Sequence, residues 1–322
     1  STKEDKEINK NIIKVLKKFQ KLVSNKNYFK NKTIFTNMTD WNPVEMIGEN
    51  PSNLSYSIYE NLITKNIWSK SRNYLGYKNC KSKLMHEFLG KPYINTKCSF
   101  FSFLPNKLNK KILKKIVKNN LHTLKNHPEF HDKVEFNIVD NCNYINLYKK
   151  YNTLYKTFLT KKEFETFYSQ VTNLTNNLLN TSKNNYLNKS IIEINKLKKK
   201  QDHYKDASIK KIIYDCKKYG TFHFSIIARL AFIAEIIFRS LIESNTFKES
   251  RLIKFKNSIN TITNEFITDY GNVIKKKITK KKFFTKYGHL RPSTYDINAK
   301  KYSDIEFRFI KNDFIKQKKK YF

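Results

Sequence analysis

The segment from 287 to 297 combines residue types that could bind a polar small molecule. It holds His289, Arg291, Tyr295 and Asp296 together with a glycine and a proline, in a chain that has only 6 Gly and 6 Pro. Because glycine and proline punctuate the backbone, this cluster predicts a shaped loop. Two interpretations stay open: a loop that binds a ligand, or a helix-ending turn whose polar groups satisfy one another.

Arginine is rare in this chain, so each arginine is informative. Lysine makes up almost all of the 64 basic residues and is spread along the chain with Asn, Ile, Tyr and Phe, as A/T-rich codons would produce. A retained arginine indicates a need for its planar fork, which grips carboxylate or phosphate through two parallel hydrogen bonds. The arginines are Arg72, Arg229, Arg239, Arg251, Arg291 and Arg308.

The formal charge of +37 at first favours a nucleic acid or an anionic membrane as the partner. Scattered lysines weaken that interpretation, because a surface takes up lysine easily when the ammonium stays hydrated and the stem covers apolar atoms. We therefore expect no nucleic-acid partner and no membrane partner. A basic, helical nucleic-acid-binding protein stays as an alternative.

The most apolar stretch, 222–242, predicts a long core helix that contains Arg229, Glu235 and Arg239. Charges at these positions are costly in a bilayer and ordinary in a core helix. Arg229 lies beside a narrow face of alanines that would admit another helix. Its guanidinium is either half of a buried ion pair or a carboxylate-binding fork that points into a cavity, and the sequence does not decide between them.

Several common sites are missing from the sequence. The four widely spaced cysteines form no CxxC pair, which predicts free thiols in a reducing cytoplasm. His127 and His131 have the spacing of a helical metal pair, but Pro128 argues against a helix there, so we expect no metal site. The Gly-rich phosphate loops and the nucleophile elbow do not occur.

Hydrophobic periodicity predicts a predominantly α-helical protein with a small β-sheet, that is, an α+β fold. We expect a linker helix in 1–30, an α+β subdomain in 31–146 with short strands near 92–104 and 133–140, and a helical subdomain in 147–322. Together they would form one substrate-binding domain. Helices are predicted at 4–23, 43–48, 52–75, 106–126, 147–159, 161–180, 184–200, 204–219, 222–244, 248–268 and 273–287.

Several segments in a fixed order resemble the central region of the phosphoenolpyruvate synthase and pyruvate phosphate dikinase family. Within that family they are most similar to the L-glutamine kinases of capsular phosphoramidate biosynthesis. The matching segments are Asp-Trp-Asn-Pro-Val-Glu-Met-Ile-Gly at 40–48, the region of Trp68, Arg72 and Gly76-Tyr77, and Gly-Lys-Pro-Tyr-Ile at 90–94. Further matches are 127–136, Asp-Cys-Lys-Lys-Tyr-Gly-Thr at 215–221, Ala228-Arg229, Phe-Lys-Asn-Ser at 255–258, and 287–297.

This resemblance implies a three-part enzyme in which an ATP-grasp domain uses ATP and Mg²⁺, and a mobile domain carries a phosphohistidine. The phosphoryl group then passes to the side-chain amide nitrogen of L-glutamine on a third domain, with AMP and phosphate as the other products. This chain shows neither the nucleotide segment nor the phosphocarrier segment. The resemblance therefore implies that it corresponds to the cytoplasmic acceptor domain, with no cofactor of its own and no full activity alone.

The resemblance also implies an amino-acid pocket, for which the chain offers several side chains. Arg291 or Arg229 would bind the α-carboxylate, and Asp40, Glu45 or Asp296 the ammonium group. The amide would be oriented by Asn42, Asn257, Thr294 or Tyr295, with His289, Asp296 or Glu45 as the base, and Arg72 belongs to the same substrate-binding set. Another amino acid, a sugar or an antibiotic hydroxyl stays open as the acceptor.

Overall fold

The computed structural model describes residues 3–23, 33–182, 185–200, 204, 206–292, 299–305 and 307. Within these ranges the chain is predominantly helical and carries a small antiparallel sheet, which confirms the predicted fold class. The first helices are α1 (Lys3–Val23), α2 (Pro43–Ile47), α3 (Asn53–Tyr59), α4 (Ile67–Tyr74), α5 (Thr96–Ser102), α6 (Lys110–Asn126), α7 (Val134–Asn137) and α8 (Lys150–Thr153). They are followed by α9 (Lys161–Leu178), α10 (Tyr186–Lys199), α11 (Ile209–Asp215), α12 (Phe222–Glu243), α13 (Glu249–Ser258), α14 (Ile262–Ile274) and α15 (Lys280–Tyr287).

Shorter or wider turns connect some of these helices. Wide π-helical turns, Glu60–Thr64 and Cys216–Thr221, lead into α4 and α12, and 3₁₀ turns occupy Pro128–Phe130, Tyr155–Thr157 and Tyr302–Asp304. The long helix predicted at 248–268 is interrupted: α13 ends at Ser258, and Thr261 caps the start of α14 by accepting from the backbone N–H of Asn264 at 3.2 Å.

The sheet has the strand order β1 (Phe35–Thr36), β3 (Lys91–Asn95), β2 (Met85–Phe88), and both pairings are antiparallel. The hairpin between β2 and β3 turns at Leu89 and Gly90, with φ of 53° and 77°. Two successive positive φ values twist a two-residue turn in the same sense as the strands. This hairpin holds Met85 opposite Ile94, and both side chains lie in the core.

Two of the predicted strands need correction. The strand expected at 92–104 ends at Asn95, whose side chain accepts from the backbone N–H of Cys98 at 3.1 Å and so starts α5. The strand expected at 133–140 is wrong, because this segment forms the single turn of α7. Its buried residues, Val134 and Ile138, are four positions apart, a spacing that places two side chains on one face of a helix as well as of a strand.

The central core surrounds Phe100, Phe103 and Leu104, which end α5 and lead into the next turn. Apolar faces of α6 and α9 cover this cluster, which includes Leu113 of α6 and Phe167 of α9. The cluster contains residues on both sides of position 146, the predicted subdomain boundary. A neighbouring cluster packs α12 against α9 and the segment after α4, so α9 contributes to both clusters.

The end of the chain has an apolar cluster of its own. Phe266, Phe283, Tyr287 and Tyr302 pack together, with Phe266 and Tyr287 ring centroids 4.8 Å apart. These residues come from α14, α15 and the 302–304 turn. This cluster holds the segment that follows Tyr287.

Cys80 and Cys98 form a disulfide with their Cα atoms 6.3 Å apart, so the prediction of free thiols is wrong for this pair. The bond ties the segment before β2 to the first turn of α5. Cys142 and Cys216 carry free thiols. Among the described helices, none combines the length and apolar character that a bilayer crossing requires.

Candidate functional site

The predicted site residues Asp40 and Arg72 form a buried ion pair. Arg72 donates from Nη1 to Asp40 Oδ2 at 2.8 Å and from Nη2 to Asp40 Oδ1 at 2.6 Å. Two serines of α5 complete the arrangement: Ser99 donates to Asp40 Oδ2 at 2.8 Å, and Ser102 accepts from Arg72 Nη1 at 2.6 Å. Both oxygens of Asp40 are therefore occupied by groups of the protein.

The backbone around Asp40 is strained. Asp40, Trp41 and Asn42 have φ values of 45°, 53° and 34°, a left-handed region that costs a residue with a side chain on the order of 1 kcal/mol. Asn42 then caps α2 with its side chain, which accepts from the backbone N–H of Glu45 at 3.4 Å, and Pro43 occupies the first helical position. The strained turn aims the Asp40 carboxylate inward at Arg72.

A second buried ion pair joins Arg229 of α12 to Glu135 of α7. Arg229 Nη1 donates to Glu135 Oε2, and the Arg229 side chain is only 4% exposed. Of the two interpretations of Arg229 that the sequence left open, the ion pair is therefore present. The Glu135 side chain is only 12% exposed, so it is largely buried as well.

The ion pair uses only part of either group. Arg229 Nε and Nη2 are buried and have no hydrogen-bond partner among the described residues. These two nitrogens form one edge of the guanidinium, the edge that donates two parallel hydrogen bonds to a carboxylate. Glu135 Oε1 likewise has no hydrogen bond within the described ranges. The site thus offers two adjacent donors and, beside them, one carboxylate oxygen.

Phe103 lies between the two arginines. Its ring centroid is 3.9 Å from Arg72 Cζ and 5.2 Å from Arg229 Cζ, distances at which a cation interacts favourably with an aromatic ring. A hydrogen bond of 2.5 Å between the hydroxyls of Ser71 and Ser225 joins α4 to α12 close by. We call Asp40, Arg72, Glu135 and Arg229 the charged cluster.

Phe232 covers Arg229 one turn further along α12. Its ring centroid is 5.3 Å from Arg229 Cζ, and the side chain is 38% exposed. Phe136, the neighbour of Glu135, stacks on Phe232 with centroids 5.4 Å apart. The two phenyl rings therefore lie beside the Arg229 guanidinium, and Phe232 is partly exposed to solvent.

Burial dominates the electrostatics of the charged cluster. It raises the pKa of Glu135 against the opposing pull of the Arg229 charge. Burial alone would lower the pKa of Arg229, but the negative charge of Glu135 raises it overall. Burial also raises the pKa of the neighbouring Cys142 thiol to about 12, which keeps this thiol protonated and unreactive near neutral pH.

Other predicted site residues lie elsewhere. Asn42 is half-buried and serves as the α2 cap, whereas Glu45 is exposed on that helix. Asn257 is exposed near the end of α13 and His289 is exposed after α15. Arg291 is half-buried and donates from Nε to the carbonyl of Ala299 at 3.0 Å, next to the C-terminal apolar cluster. Of the predicted set, the structure brings together Asp40, Arg72 and Arg229.

The loop interpretation of 287–297 falls partly outside the described residues, because Thr294, Tyr295 and Asp296 lie in the range 293–298. Leu290 N–H donates to the Tyr287 carbonyl at 3.0 Å, and Tyr302 N–H donates back to the Leu290 carbonyl at 2.8 Å. The chain thus turns at the end of α15 and returns to the same place. Both interpretations of this loop, ligand binding and self-satisfied turn, stay open.

Glu135 is the member of the cluster that the sequence analysis did not select. It lies in the 127–136 segment, which the family resemblance had included, but the predicted strand gave no reason to choose this carboxylate. Within that segment His127 Nδ1 lies 3.1 Å from Glu129 Oε1, and Pro128 begins a 3₁₀ turn. No group of three or more His, Cys, Asp or Glu residues that could hold a metal occurs in the described part of the chain.

Comparisons with protein-family models, with curated proteins and with solved structures gave no match to this chain.

Proposed function

We propose that this chain is the acceptor domain of a phosphotransferase related to phosphoenolpyruvate synthase, and that its acceptor is the amino acid L-glutamine. The observation that carries the proposal is the unused edge of Arg229 beside the free oxygen of Glu135. The order of the resembling segments supports the family. Four of them, which contain Asp40, Arg72, Glu135 and Arg229, supply the members of the one charged cluster.

The geometry of the Arg229–Glu135 pair suits a zwitterion. An α-carboxylate would accept from Arg229 Nε and Nη2, while the adjacent α-ammonium group would donate to Glu135 Oε1. Both are charge-assisted hydrogen bonds, which are stronger than bonds between neutral groups. The assignment changes one expectation: Glu135 takes the ammonium group in place of Asp40, whose oxygens are held by Arg72 and Ser99.

The Asp40–Arg72 pair then has a positioning role. It fixes α4 and α5 on one side of Phe103, whose ring also contacts Arg229. The rigid Phe103 ring then holds the plane of the Arg229 guanidinium in one orientation. This preorganisation lowers the entropy that ligand binding would otherwise cost.

Phosphoryl transfer to an amide needs further help, because delocalisation makes the amide nitrogen a weak nucleophile. A hydrogen-bond acceptor near the nitrogen would take up its proton as the N–P bond forms. Of the expected bases, Glu45 and His289 are exposed and lie outside the charged cluster, and Asp296 lies outside the described residues, so the base stays unassigned among the three. ATP and Mg²⁺ would be bound by the ATP-grasp domain, which would phosphorylate the histidine that the mobile domain carries.

A calorimetric ligand panel tests this proposal. L-Glutamine should bind this chain, whereas D-glutamine, glutaramide (which lacks the α-carboxylate and α-ammonium) and an oligonucleotide should bind at least about tenfold more weakly. Binding of another L-amino acid in preference to glutamine would keep the zwitterion site and change the acceptor. Tight, salt-sensitive binding of the oligonucleotide with no response to any amino acid would overturn the proposal in favour of the nucleic-acid alternative.

A further inference from the structure

α9 carries a stripe of amide side chains beside a surface cavity. Gln170, Asn173 and Asn177 are spaced i, i+3 and i+7, which places them on one face of the helix. Asn73 at the end of α4 and Asn106 after α5 face the stripe across a cavity of about 310 Å³. This cavity is lined by residues other than the four members of the charged cluster.

The amides of this cavity retain free hydrogen-bonding capacity. Gln170 Oε1 is buried without a partner, which is uncommon for a buried polar atom. The side chains of Asn106, Asn173 and Asn177 form no hydrogen bond to any residue that the structure describes. Asn73 uses its Nδ2 to hold the Tyr77 carbonyl at 3.1 Å and leaves its Oδ1 available.

The floor of the cavity is preformed. Gly76 has a φ of 100°, and a Cβ atom at this position would lie 2.9 Å from Leu174 Cδ1, so the backbone approaches α9 as closely as only glycine allows. The Gly76 carbonyl accepts from the backbone N–H of Asn106 at 2.9 Å. The end of α4, which carries Asn73, and the loop that carries Asn106 thus lie against each other and against α9. Such a preformed lining is usual for small-molecule sites.

The lining defines the charge of the ligand. Lys107 is the charged residue of the lining, and no aspartate or glutamate from the described ranges contributes to it. A single lysine would bind an anionic ligand only weakly, and a lining without a carboxylate disfavours a cationic ligand. Amides both donate and accept hydrogen bonds, so they suit a neutral ligand with many groups that also do both.

An aromatic pair completes the cavity. Tyr74 and Tyr186 meet edge to face with ring centroids 5.4 Å apart, and Tyr74 is 48% exposed. An exposed ring beside convergent amides offers an apolar surface for C–H groups next to hydrogen-bonding partners for hydroxyls. The volume lies at the lower end of the range for ligand cavities, which suits a single ring.

We propose that this cavity is a binding site for a neutral monosaccharide, with the amides of Asn106, Gln170, Asn173 and Asn177 bound to its hydroxyls and Tyr74 packed against its C–H face. The inference is independent of the glutamine site. It requires neither Arg229 nor Glu135.

Saturation-transfer difference NMR on this chain tests the site, with D-glucose, D-galactose and N-acetyl-D-glucosamine as probes. At least one probe should show transfer concentrated on its ring protons. The double variant Asn173→Ala/Asn177→Ala should weaken binding about tenfold, the effect of two lost hydrogen bonds. Asn176→Ala is the matched control, because Asn176 is an exposed amide of the same helix that does not line the cavity.

The outcomes separate cleanly when circular dichroism shows that both variants keep the helical content of the parent chain. The site is supported if the saturation-transfer signal of a sugar is lost with the double variant and retained with the control. The proposal is overturned if none of the three sugars receives saturation from the protein, or if the double variant still transfers saturation to a sugar as the parent chain does. It is also overturned if L-glutamine binding is lost in the double variant, since the cavity would then be the amino-acid site.

Discussion

Glu135 and Arg229 lie 94 residues apart in the chain and share one buried hydrogen bond, which leaves two guanidinium nitrogens and one carboxylate oxygen unused. A purely structural ion pair would gain most by using both nitrogens of one guanidinium edge, as Arg72 does with both of its Nη atoms on Asp40. The contrast between these neighbouring pairs separates their roles. The Asp40–Arg72 pair is complete and supports the fold, whereas the Glu135–Arg229 pair keeps the unused donors and acceptor that the proposed ligand would bind.

The complete pair predicts a large stability cost when it is broken. Asp40→Asn leaves the Arg72 charge buried without a counterion, so we expect a loss of about 3 kcal/mol in the free energy of unfolding, measured by urea denaturation. Glu49→Gln is the control, because Lys91 and Glu49 form an exposed, solvent-screened pair whose loss should change the free energy of unfolding little. Equal losses in the two variants would show that Asp40 does not act as the buried counterion.

His86 predicts a pH-dependent part of the stability. Burial between aromatic rings lowers its pKa from 6.5 to about 4, and its Nε2 lies 3.0 Å from the Lys83 carbonyl. The unfolded chain therefore binds more protons between pH 4 and pH 6.5, so this contribution is present above pH 6.5 and is lost as the pH falls towards 4. The pKa difference corresponds to about 3 kcal/mol.

Urea unfolding of the parent chain and of His86→Phe at pH 7 and pH 4.5 isolates this contribution. Carboxylates titrate in both proteins and affect both alike. The difference between the two proteins in the change of unfolding free energy from pH 7 to pH 4.5 therefore comes from His86. We expect the parent chain to lose more stability on acidification than the variant. Parallel losses would mean that His86 is protonated in the folded state as readily as in the unfolded chain.

Alanine substitutions at two glycines should change the stability in opposite directions. Gly90 has a φ of 77° in the β2–β3 turn, and a Cβ atom there would touch nothing within 4 Å, so Gly90→Ala tests backbone strain alone. We expect it to cost about 1 kcal/mol. Gly271→Ala, in the interior of α14 with equally open surroundings, should stabilise the chain by about 0.5–1 kcal/mol.

Thermal unfolding of the two variants beside the parent chain measures both effects. A lower melting temperature for Gly90→Ala and a higher one for Gly271→Ala is the expected pattern. The same direction of change in both variants would contradict the left-handed turn at Gly90 or the helical conformation at Gly271.

Helix positions were predictable where a continuous apolar stripe and a cap occur together. α6 and α9 were predicted from their apolar periodicity, and the structure shows that Asn109 and Thr160 cap them. The end of α2 was predicted correctly at Gly48. The segment 133–140 was mispredicted because Val134 and Ile138 fit both helical and strand periodicity. Tertiary contact decided in favour of one helical turn.

The candidate site was predictable in part. Rarity singled out Arg72 and Arg229, and the Asp-Trp-Asn-Pro segment singled out Asp40, but no pattern along the chain pairs Glu135 with a residue 94 positions away. The amide stripe of α9 had a visible signal in its i, i+3, i+7 spacing. In a chain so rich in asparagine, that spacing gains meaning only once Asn73 and Asn106 face it across a cavity.

The phenyl rings over Arg229 predict a gate. The Phe232 ring centroid lies 5.3 Å from Arg229 Cζ and the residue is 38% exposed, so we expect a ligand to reach Nε and Nη2 past this ring. Phe232→Ala should therefore raise the association rate constant for L-glutamine several-fold in stopped-flow fluorescence. Phe224→Ala, which changes another exposed ring of α12, is the control. A rate constant that changes equally in both variants would argue against a gate.

The most direct test of the account is the L-glutamine dissociation constant of Arg229→Lys compared with that of Arg239→Lys, both measured by calorimetry. Lysine keeps the positive charge beside Glu135 but lacks the two-donor edge, so we expect at least a tenfold weaker affinity for Arg229→Lys. Arg239 is half-exposed, pairs with Glu235 on the same helix and lies over the Phe136 ring at 4.1 Å. Lysine can keep both contacts, so this variant should bind like the parent chain. An unchanged dissociation constant in a folded Arg229→Lys would contradict the assignment of Arg229 as the carboxylate-binding residue.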